Sequence, residues 1–475
     1  MVSEWTTSHG LDVHLDLAGS GTGRRAAIEE ALRTAIQDGR LGAGVALPST
    51  RALARDLAVA RGTVTDAYEQ LVAEGWLAAR RGSGTLVAWT GEGSGGPRAA
   101  RRTVADPPAP THNLRPGSPD VSSFPRQEWS AAVRRALRTA PDSAFGYGDA
   151  RGLADVREAV AGYLARARGV RADPERLVVC GGFVQGLSLL AATFRELGTT
   201  TVGMENPCMT AYRDLTARAG LAVRFLDVDD DGADPARLDG PAGRGVGAVF
   251  VTPAHQYPAG TTLSAPRRAA LAVWARAVDG YVVEDDYDGE LRYDRQPVGA
   301  LQAIDPDRVV YVGTASKSLA PGLRLGWMVL PEPLLAPVTL AKELADRQNG
   351  VVEQLALAEL ISSGGLDRHI RRARLRYRRR RDELIAALAE VPAVQARGIA
   401  AGLHAVLDLP ADGPSEAEVL RALAADGVAA DGLSRYWHRP GPRPSGLVVG
   451  FGAPAEHAFP AALEALVGAL ARCYG

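Results

Sequence analysis

Lysine is nearly absent from this chain. Of 54 Lys plus Arg residues among 475, only Lys317 and Lys342 are lysines. Arginine serves ion pairs and phosphate contacts, but its guanidinium stays protonated and cannot form a Schiff base. A lysine kept in such a chain points to chemistry that needs an amine, although two lysines can also persist by chance in an arginine-biased composition. Cysteine is scarce too. Cys180, Cys208 and Cys473 have no metal-ligand spacing and cannot build a disulfide framework, so a reducing cytosol is expected. No apolar run reaches the roughly 18 residues of a membrane span. Met1-Val2-Ser3-Glu4-Trp5 has no basic segment ahead of an apolar core, so no signal peptide is expected. A formal net charge of −1 argues against a protein basic throughout and leaves room for a local basic patch.

What is present fits a globular protein of two or three domains, with 46% hydrophobic and 23% charged residues. The clearest boundary is Thr90 to Thr111, where Gly and Ser give way to a short basic cluster and then to Pro107, Pro108 and Pro110. No helical or strand period survives there, which marks a linker over 90–111 between units 11–89 and 112–475.

The first unit has the pattern helix, helix, helix, hairpin. Ile28, Leu32 and Ile36 recur at helical spacing over 24–38. Ser49 or Thr50 caps a second helix, a Val59–Gly62 turn follows, and Thr63 opens a third helix that ends at Gly75. Two short strands, Trp76–Ala79 and Thr85–Ala88, flank Arg80-Arg81-Gly82-Ser83-Gly84. This is the layout of an α+β winged helix-turn-helix. Its third helix would present Arg61, Thr63 and Thr65 to the major groove, with Arg51 at phosphate and Arg80 on the wing. Six arginines face four acidic residues between Arg40 and Thr85, so affinity for phosphate is expected to be modest and salt-dependent. Leu47-Pro48-Ser49-Thr50-Arg51, Ala60-Arg61-Gly62-Thr63-Val64, Glu74-Gly75 and Gly82-Ser83-Gly84-Thr85 resemble the GntR-type winged helix. That resemblance implies that Arg51, Arg61 and the wing glycine Gly82 lie at DNA. Ala60 stands where a serine is more usual.

The second unit alternates strand and helix, which predicts an α/β domain around a mostly parallel sheet. Expected strands are Leu177–Cys180, Thr201–Met204, Ala222–Leu226, Val246–Val251, Tyr281–Glu284 and Val309–Val312, with a smaller lobe from about 385 onward. Gly181-Gly182 lies between a strand and the helix beginning Phe183-Val184, where backbone N–H groups can hold a phosphate. Glu284-Asp285-Asp286-Tyr287-Asp288 ends another strand. It admits a carboxylate for a pyridine nitrogen, an acidic loop or a metal site. Thr314, Ser316, Lys317 and Arg324 place hydroxyls and a guanidinium around one amine.

Phe145-Gly146-Tyr147-Gly148, Glu205-Asn206-Pro207, Thr252-Pro253-Ala254-His255-Gln256-Tyr257-Pro258, Glu284 to Asp288 and Ser316 to Gly326 are together similar to the fold-type I aminotransferase domain, over about 113–475. The resemblance implies a pyridoxal 5′-phosphate (PLP) cofactor held by Lys317 as an internal aldimine. It also implies Asp285, ahead of Asp286, at the pyridine nitrogen and Tyr287 at the phenolic oxygen. Thr314, Ser316, Arg324 and the backbone of Phe183 and Val184 would hold the phosphate, with His255 or Gln256 near the ring. A winged helix fused to this domain resembles MocR/GabR-type transcriptional regulators. That implies operator DNA and a small-molecule effector, either PLP or an amine or amino acid, as partners, a homodimer, and no membrane. The rival is a working aminotransferase carrying a DNA-binding domain.

Two departures bear on chemistry. Cys208-Met209 replaces the small residue and stacking aromatic usual after Asn-Pro, and a methionine offers no planar face. The last strand, Leu447–Phe451, lacks a carboxylate-binding arginine, leaving Arg435 as the effector-binding candidate with Arg443 behind it. Lys317 is therefore expected to serve as a sensor handle more than a turnover catalyst, with Lys342 a surface residue on a helix. The run His369 to Arg381 is read as a solvated, ion-paired helix in preference to a second nucleic-acid surface.

Overall fold

The structure, a computed structural model, describes residues 23–80, 84–89, 110–293, 298–439, 441 and 443–474. The chain divides into two compact units, Met1–Ala109 and Pro110–Gly475.

In the first unit, α1 (Arg24–Gln37), α2 (Thr50–Asp56) and α3 (Arg61–Ala73) precede the antiparallel hairpin β1 (Leu77–Arg80) and β2 (Gly84–Val87). Ile28, Leu32, Leu53, Val64, Leu71, Leu77 and Val87 close one apolar core, and the Tyr68 hydroxyl donates to Pro48 O at 3.0 Å. Ser49 is the cap of α2, its hydroxyl accepting from Ala52 N at 3.2 Å. Helix α3 starts at Arg61, two residues before the expected Thr63. The Thr63 N–H already bonds Ala60 O at 3.0 Å, so the first turn is helical although Ala60 supplies no side-chain cap.

The second unit opens with β3 (His112–Asn113), α4 (Arg126–Thr139) and α5 (Ala154–Arg168). Its main sheet contains β4 (Leu177–Cys180), β5 (Thr201–Asn206), β6 (Ala222–Asp229), β7 (Gly232–Ala233), β8 (Val246–Val251), β9 (Tyr281–Asp286), β10 (Val309–Thr314) and β11 (Gly326–Val329). The order is β4-β11-β10-β9-β8-β5-β6-β7. Strands β5, β6, β8, β9 and β10 are parallel, while β11 runs antiparallel to both of its neighbours. β11 was not expected, because Gly-Trp-Met-Val opens on a glycine, which strands disfavour, and holds a single β-branched residue. Central strands are buried on both faces because helices cover the sheet, so their sequences are continuous apolar runs. Helices α6 (Phe183–Glu196), α7 (Thr210–Arg218), α8 (Gly240–Gly243) and α9 (Ala265–Ala277) connect them.

Helices α10 (Glu332–Asp346), α11 (Val351–Ser362) and α12 (Gly365–Ala387) lead to the smaller lobe. That lobe holds β12 (Gln395–Arg397), β13 (His404–Asp408), α13 (Glu416–Ala425), β14 (Val428–Ala429), β15 (Asp431–Gly432), β16 (Gly446–Gly450) and α14 (Phe459–Tyr474). Its sheet order is β12-β13-β16-β15, and β14 pairs with β3. Among the described residues no helix is long and apolar enough to cross a membrane.

Helix α12 carries the arginine-rich run. Leu366, His369, Ile370, Ala373, Tyr377, Arg380 and Leu384 form its buried stripe. Arg380 is 1% exposed and donates to Phe451 O, Gly452 O, Pro454 O and Asp120. Arg372 pairs with Glu128, Arg376 donates to Ser123, Arg378 pairs with Asp382, and Arg379 pairs with Glu383 and Glu456. The arginines are largely spent inside the domain.

Candidate functional site

The site lies at the C-terminal ends of β9 and β10, where side chains leave the buried sheet. Lys317 follows β10. Its Nζ donates to Gly117 O, and it lines a cavity of about 250 Å³ with Pro116, Ser118, Met209, Tyr212, Tyr257, Asp285, Tyr287, Leu403 and His404. A second cavity of about 30 Å³ shares Met209, Tyr212, Tyr257 and Asp285 and adds Phe183, Glu205 and Cys208. Burial pushes the Lys317 amine below the usual lysine range, although the charges of Asp285 and Asp288 pull the other way. Asp285 is driven well up by burial and then by its neighbour Asp286. Both groups are thereby moved toward their neutral forms.

The acidic run separates into distinct tasks. Glu284 accepts the N–H groups of Leu301 and Gln302, each at 2.9 Å. Asp286 is clamped by Arg168 at 2.6 and 3.2 Å and accepts from the Tyr311 hydroxyl at 2.7 Å. Asp288 meets His255 Nδ1 at 2.8 Å. Asp285 alone of the four faces the cavity, and its Oδ1 is buried without a hydrogen-bond partner among the described residues. Strand alternation explains why Asp285 and Asp286 diverge. Tyr287 reaches the cavity wall, and its hydroxyl meets His255 Nδ1 at 3.1 Å. His255 therefore sits against Tyr287 and Asp288, and Gln256 donates to Glu205, Pro207 O and Tyr257 O; neither is in the described lining of the two cavities.

The Gly181-Gly182 turn gathers the next group. Gly182 has φ +90°, a conformation costly for any residue with a Cβ, and precedes the N-terminus of α6. A Cβ built there would lie 3.5 Å from Thr314 Oγ1 and 3.6 Å from Arg324 Nη1 and Nη2, which shows how closely these groups converge. Thr314 Oγ1 donates to Ser316 Oγ at 2.8 Å. Arg324 itself has φ +52°, a left-handed geometry that non-glycine residues adopt at a cost of about 1–3 kcal/mol and that concentrates at functional sites. The Phe183 side chain is buried and that of Val184 is exposed, so only their backbone N–H groups bear on this cradle.

Two expectations are corrected. Arg435 is 67% exposed on its side chain, sits 3.6 Å from Asp431 and is not among the lining residues, because the chain there forms a short 3-10 turn with Tyr436 inward and Arg435 outward. Lys342 is no surface residue. It is 0% exposed, its amine 2.7 Å from Asp346, because α10 packs that face against the domain. Asp346 also accepts from Gln185 Nε2 at 2.5 Å, and Gln185 accepts the Gly181 N–H at 2.5 Å. The sequence reading overlooked Tyr212, Tyr257, Gly117 and His404. Tyr212 had one visible signal, an aromatic one helical turn after Met209.

On the first unit, Arg51 and Arg61 are exposed with no acidic partner among the described residues. Thr63 and Thr65 are half-buried on the same helix start, Thr65 Oγ1 donating to Arg61 O at 3.1 Å. Gly82 lies outside the described residues, as does most of the 90–111 segment, and only the backbone of Arg80 is described.

Residues 24–87 match the gntR family of bacterial regulatory proteins, and residues 114–436 match the aminotransferase class I and II family. The chain belongs to the GntR-family regulators that carry an aminotransferase-like domain. It is 35% identical over 440 residues to the HTH-type pyridoxine biosynthesis transcriptional regulator PdxR of Corynebacterium glutamicum, covering 90% of this chain and 92% of that protein. It is 33% identical over 378 residues to the probable rhizopine catabolism regulatory protein MocR of Rhizobium meliloti, covering 75% of each. The kynurenine aminotransferase of Pyrococcus horikoshii, solved in complex with PMP, superposes with a TM-score of 0.68 at 27% identity, over 76% of this chain and 90% of that one. A GntR-family regulator of this build binds operator DNA through its winged helix, and its aminotransferase fold indicates dependence on PLP.

Proposed function

We propose that the large domain takes up PLP on Lys317 and that PLP itself, not an amino acid, is the signal the regulator reads. The observation that carries this is the cavity: it holds one amine, and no arginine is among the described residues that line it. An amino-acid effector would bring a carboxylate to a wall without a guanidinium to receive it. The name of the Corynebacterium relative, a regulator of pyridoxine biosynthesis, supports the same reading.

The residues present fit PLP. The unpartnered Oδ1 of Asp285 suits a protonated ring nitrogen. The α6 N-terminus with Thr314, Ser316 and Arg324 suits a phosphate dianion. When bound, PLP supplies an aldehyde that condenses with a primary amine. Burial shifts the Lys317 amine toward its neutral, nucleophilic form relative to a free lysine. Asp285 would hold the proton at the ring nitrogen, and the Tyr287 hydroxyl, backed by His255 and Asp288, would donate to the phenolic oxygen.

A homodimer is part of the proposal. Phe145 and Tyr147 are 50% and 86% exposed, yet Gln348 holds their loop through Gly146 O at 3.1 Å and Gly148 N at 2.6 Å. A fixed, exposed aromatic pair is a surface for a second copy.

Borohydride reduction of the PLP-treated chain followed by peptide mapping should place a pyridoxyl group on Lys317. A gel shift on the DNA flanking its own gene should change with PLP and not with amino acids. No adduct, or a shift indifferent to PLP, overturns the reading. Arg61→Ala should weaken DNA binding by about tenfold and lower the salt slope by about one.

A further inference from the structure

Position 209 leaves the cavity without the flat face that a pyridine ring packs against, yet the cavity is not without aromatics. Tyr212 and Tyr257 both line the two adjoining spaces that meet at Asp285. Tyr257 is already engaged. Its hydroxyl meets Tyr436 at 3.0 Å, and its ring lies edge-on to Tyr287, His404 and Tyr436. Tyr212 is not. Its ring has one aromatic neighbour, Phe183, at 4.7 Å and 44°, and its hydroxyl makes no hydrogen bond among the described residues. Met209 is the N-terminal cap of α7, so Tyr212 stands three residues into the same turn, on the face that i and i+3 share. Phe183, which backs it, is also the first residue of α6 at the phosphate cradle.

Resting on the reading of the cavity as a PLP site, we propose that Tyr212 is its aromatic wall. The planar surface absent at Met209 is supplied one helical turn later, braced by Phe183 and turned toward the space between Asp285 and Lys317. Tyr212 is thus a positioning residue that sets the tilt and affinity of the cofactor ring. Met209 acts as adaptable packing beside it.

The test is direct PLP titration of the full chain, followed by absorbance and induced circular dichroism of the bound cofactor. Tyr212→Leu should weaken PLP binding about tenfold and alter the induced dichroism, while Tyr212→Phe stays within about twofold of wild type and Met209→Leu loses less than Tyr212→Leu. Tyr212→Leu within twofold of wild type, or Met209→Leu giving the larger loss, overturns the proposal. If Tyr212→Leu does not fold, a crystal structure of the PLP-loaded wild type decides: the Tyr212 ring in van der Waals contact with the pyridine supports it, and the ring out of contact overturns it. A wild-type chain that binds PLP while Tyr212→Leu binds equally well sinks this inference alone. A wild-type chain that takes up no PLP sinks the cofactor reading and this inference with it.

Discussion

Lys317 and Lys342 stand in two regions of the large domain, and both are withdrawn from solvent. Around Lys317 the amine meets one backbone carbonyl, two carboxylates at a distance and an open cavity. Around Lys342 the amine is fully enclosed and neutralised by Asp346, one turn along its own helix. Burial without a tight counter-ion keeps an amine reactive, whereas burial with one makes it a strut. The strut runs from Lys342 through Asp346 and Gln185 to the Gly181 N–H, so the second lysine braces the Gly181-Gly182 turn that leads into α6. Asp285 and Asp286 repeat the contrast over a single residue. One lines the cavity and has an oxygen without a hydrogen-bond partner among the described residues, and the other is locked by Arg168 and Tyr311.

The sharpest way to break the comparison is to exchange the lysines. Lys317→Arg should abolish the borohydride-trapped adduct completely, because a guanidinium does not condense, while Lys342→Met keeps the adduct and costs about 1–2 kcal/mol of stability by denaturant unfolding. An adduct surviving in Lys317→Arg would place the chemistry elsewhere. Next in size is Asp286→Ala, which strands a buried arginine and should cost about 3–5 kcal/mol in the same unfolding assay while the neighbouring Asp285 still receives the cofactor. Smaller is the pH dependence. Because burial lowers the Lys317 pKa, neutral amine appears at lower pH than for a free lysine. The rate of PLP uptake should therefore rise through a midpoint below the ordinary lysine value of about 10.4. The Asp285 charge acts to raise that pKa, so Asp285→Asn should move the midpoint further down in stopped-flow absorbance. Smallest is Arg435→Ala: exposed and outside the cavity lining, it should change PLP affinity by less than about twofold in a titration.

Much of this was legible in the residues. Gly182, Thr314, Lys317 and Arg324 stood in short motifs, and the structure brings Gly182, Thr314 and Arg324 together and sets Lys317 on the cavity wall. The winged helix was legible because its core is built from local helical spacing, Ile28, Leu32 and Ile36 among it. Strand β11 was not, because Gly-Trp-Met-Val lacks the β-branched run of its neighbours and is made a strand by pairing with β10 and β4. The roles of His255, Arg435 and Lys342 were not legible either, since each depends on a partner far along the chain or on which face a helix buries.

The sequence by itself determined which groups are available to this regulator: two lysines in a chain of arginines, a glycine pair between a strand and a helix, an acidic strand end, and a methionine where the family it resembles has an aromatic. Only the tertiary structure decided which acid faces the cavity, that Lys342 is a strut, and that Tyr212 lines both cavities beside Met209. Residue type sets what a group can do. Burial and partners, which come from segments hundreds of residues apart, set whether it is free to do it.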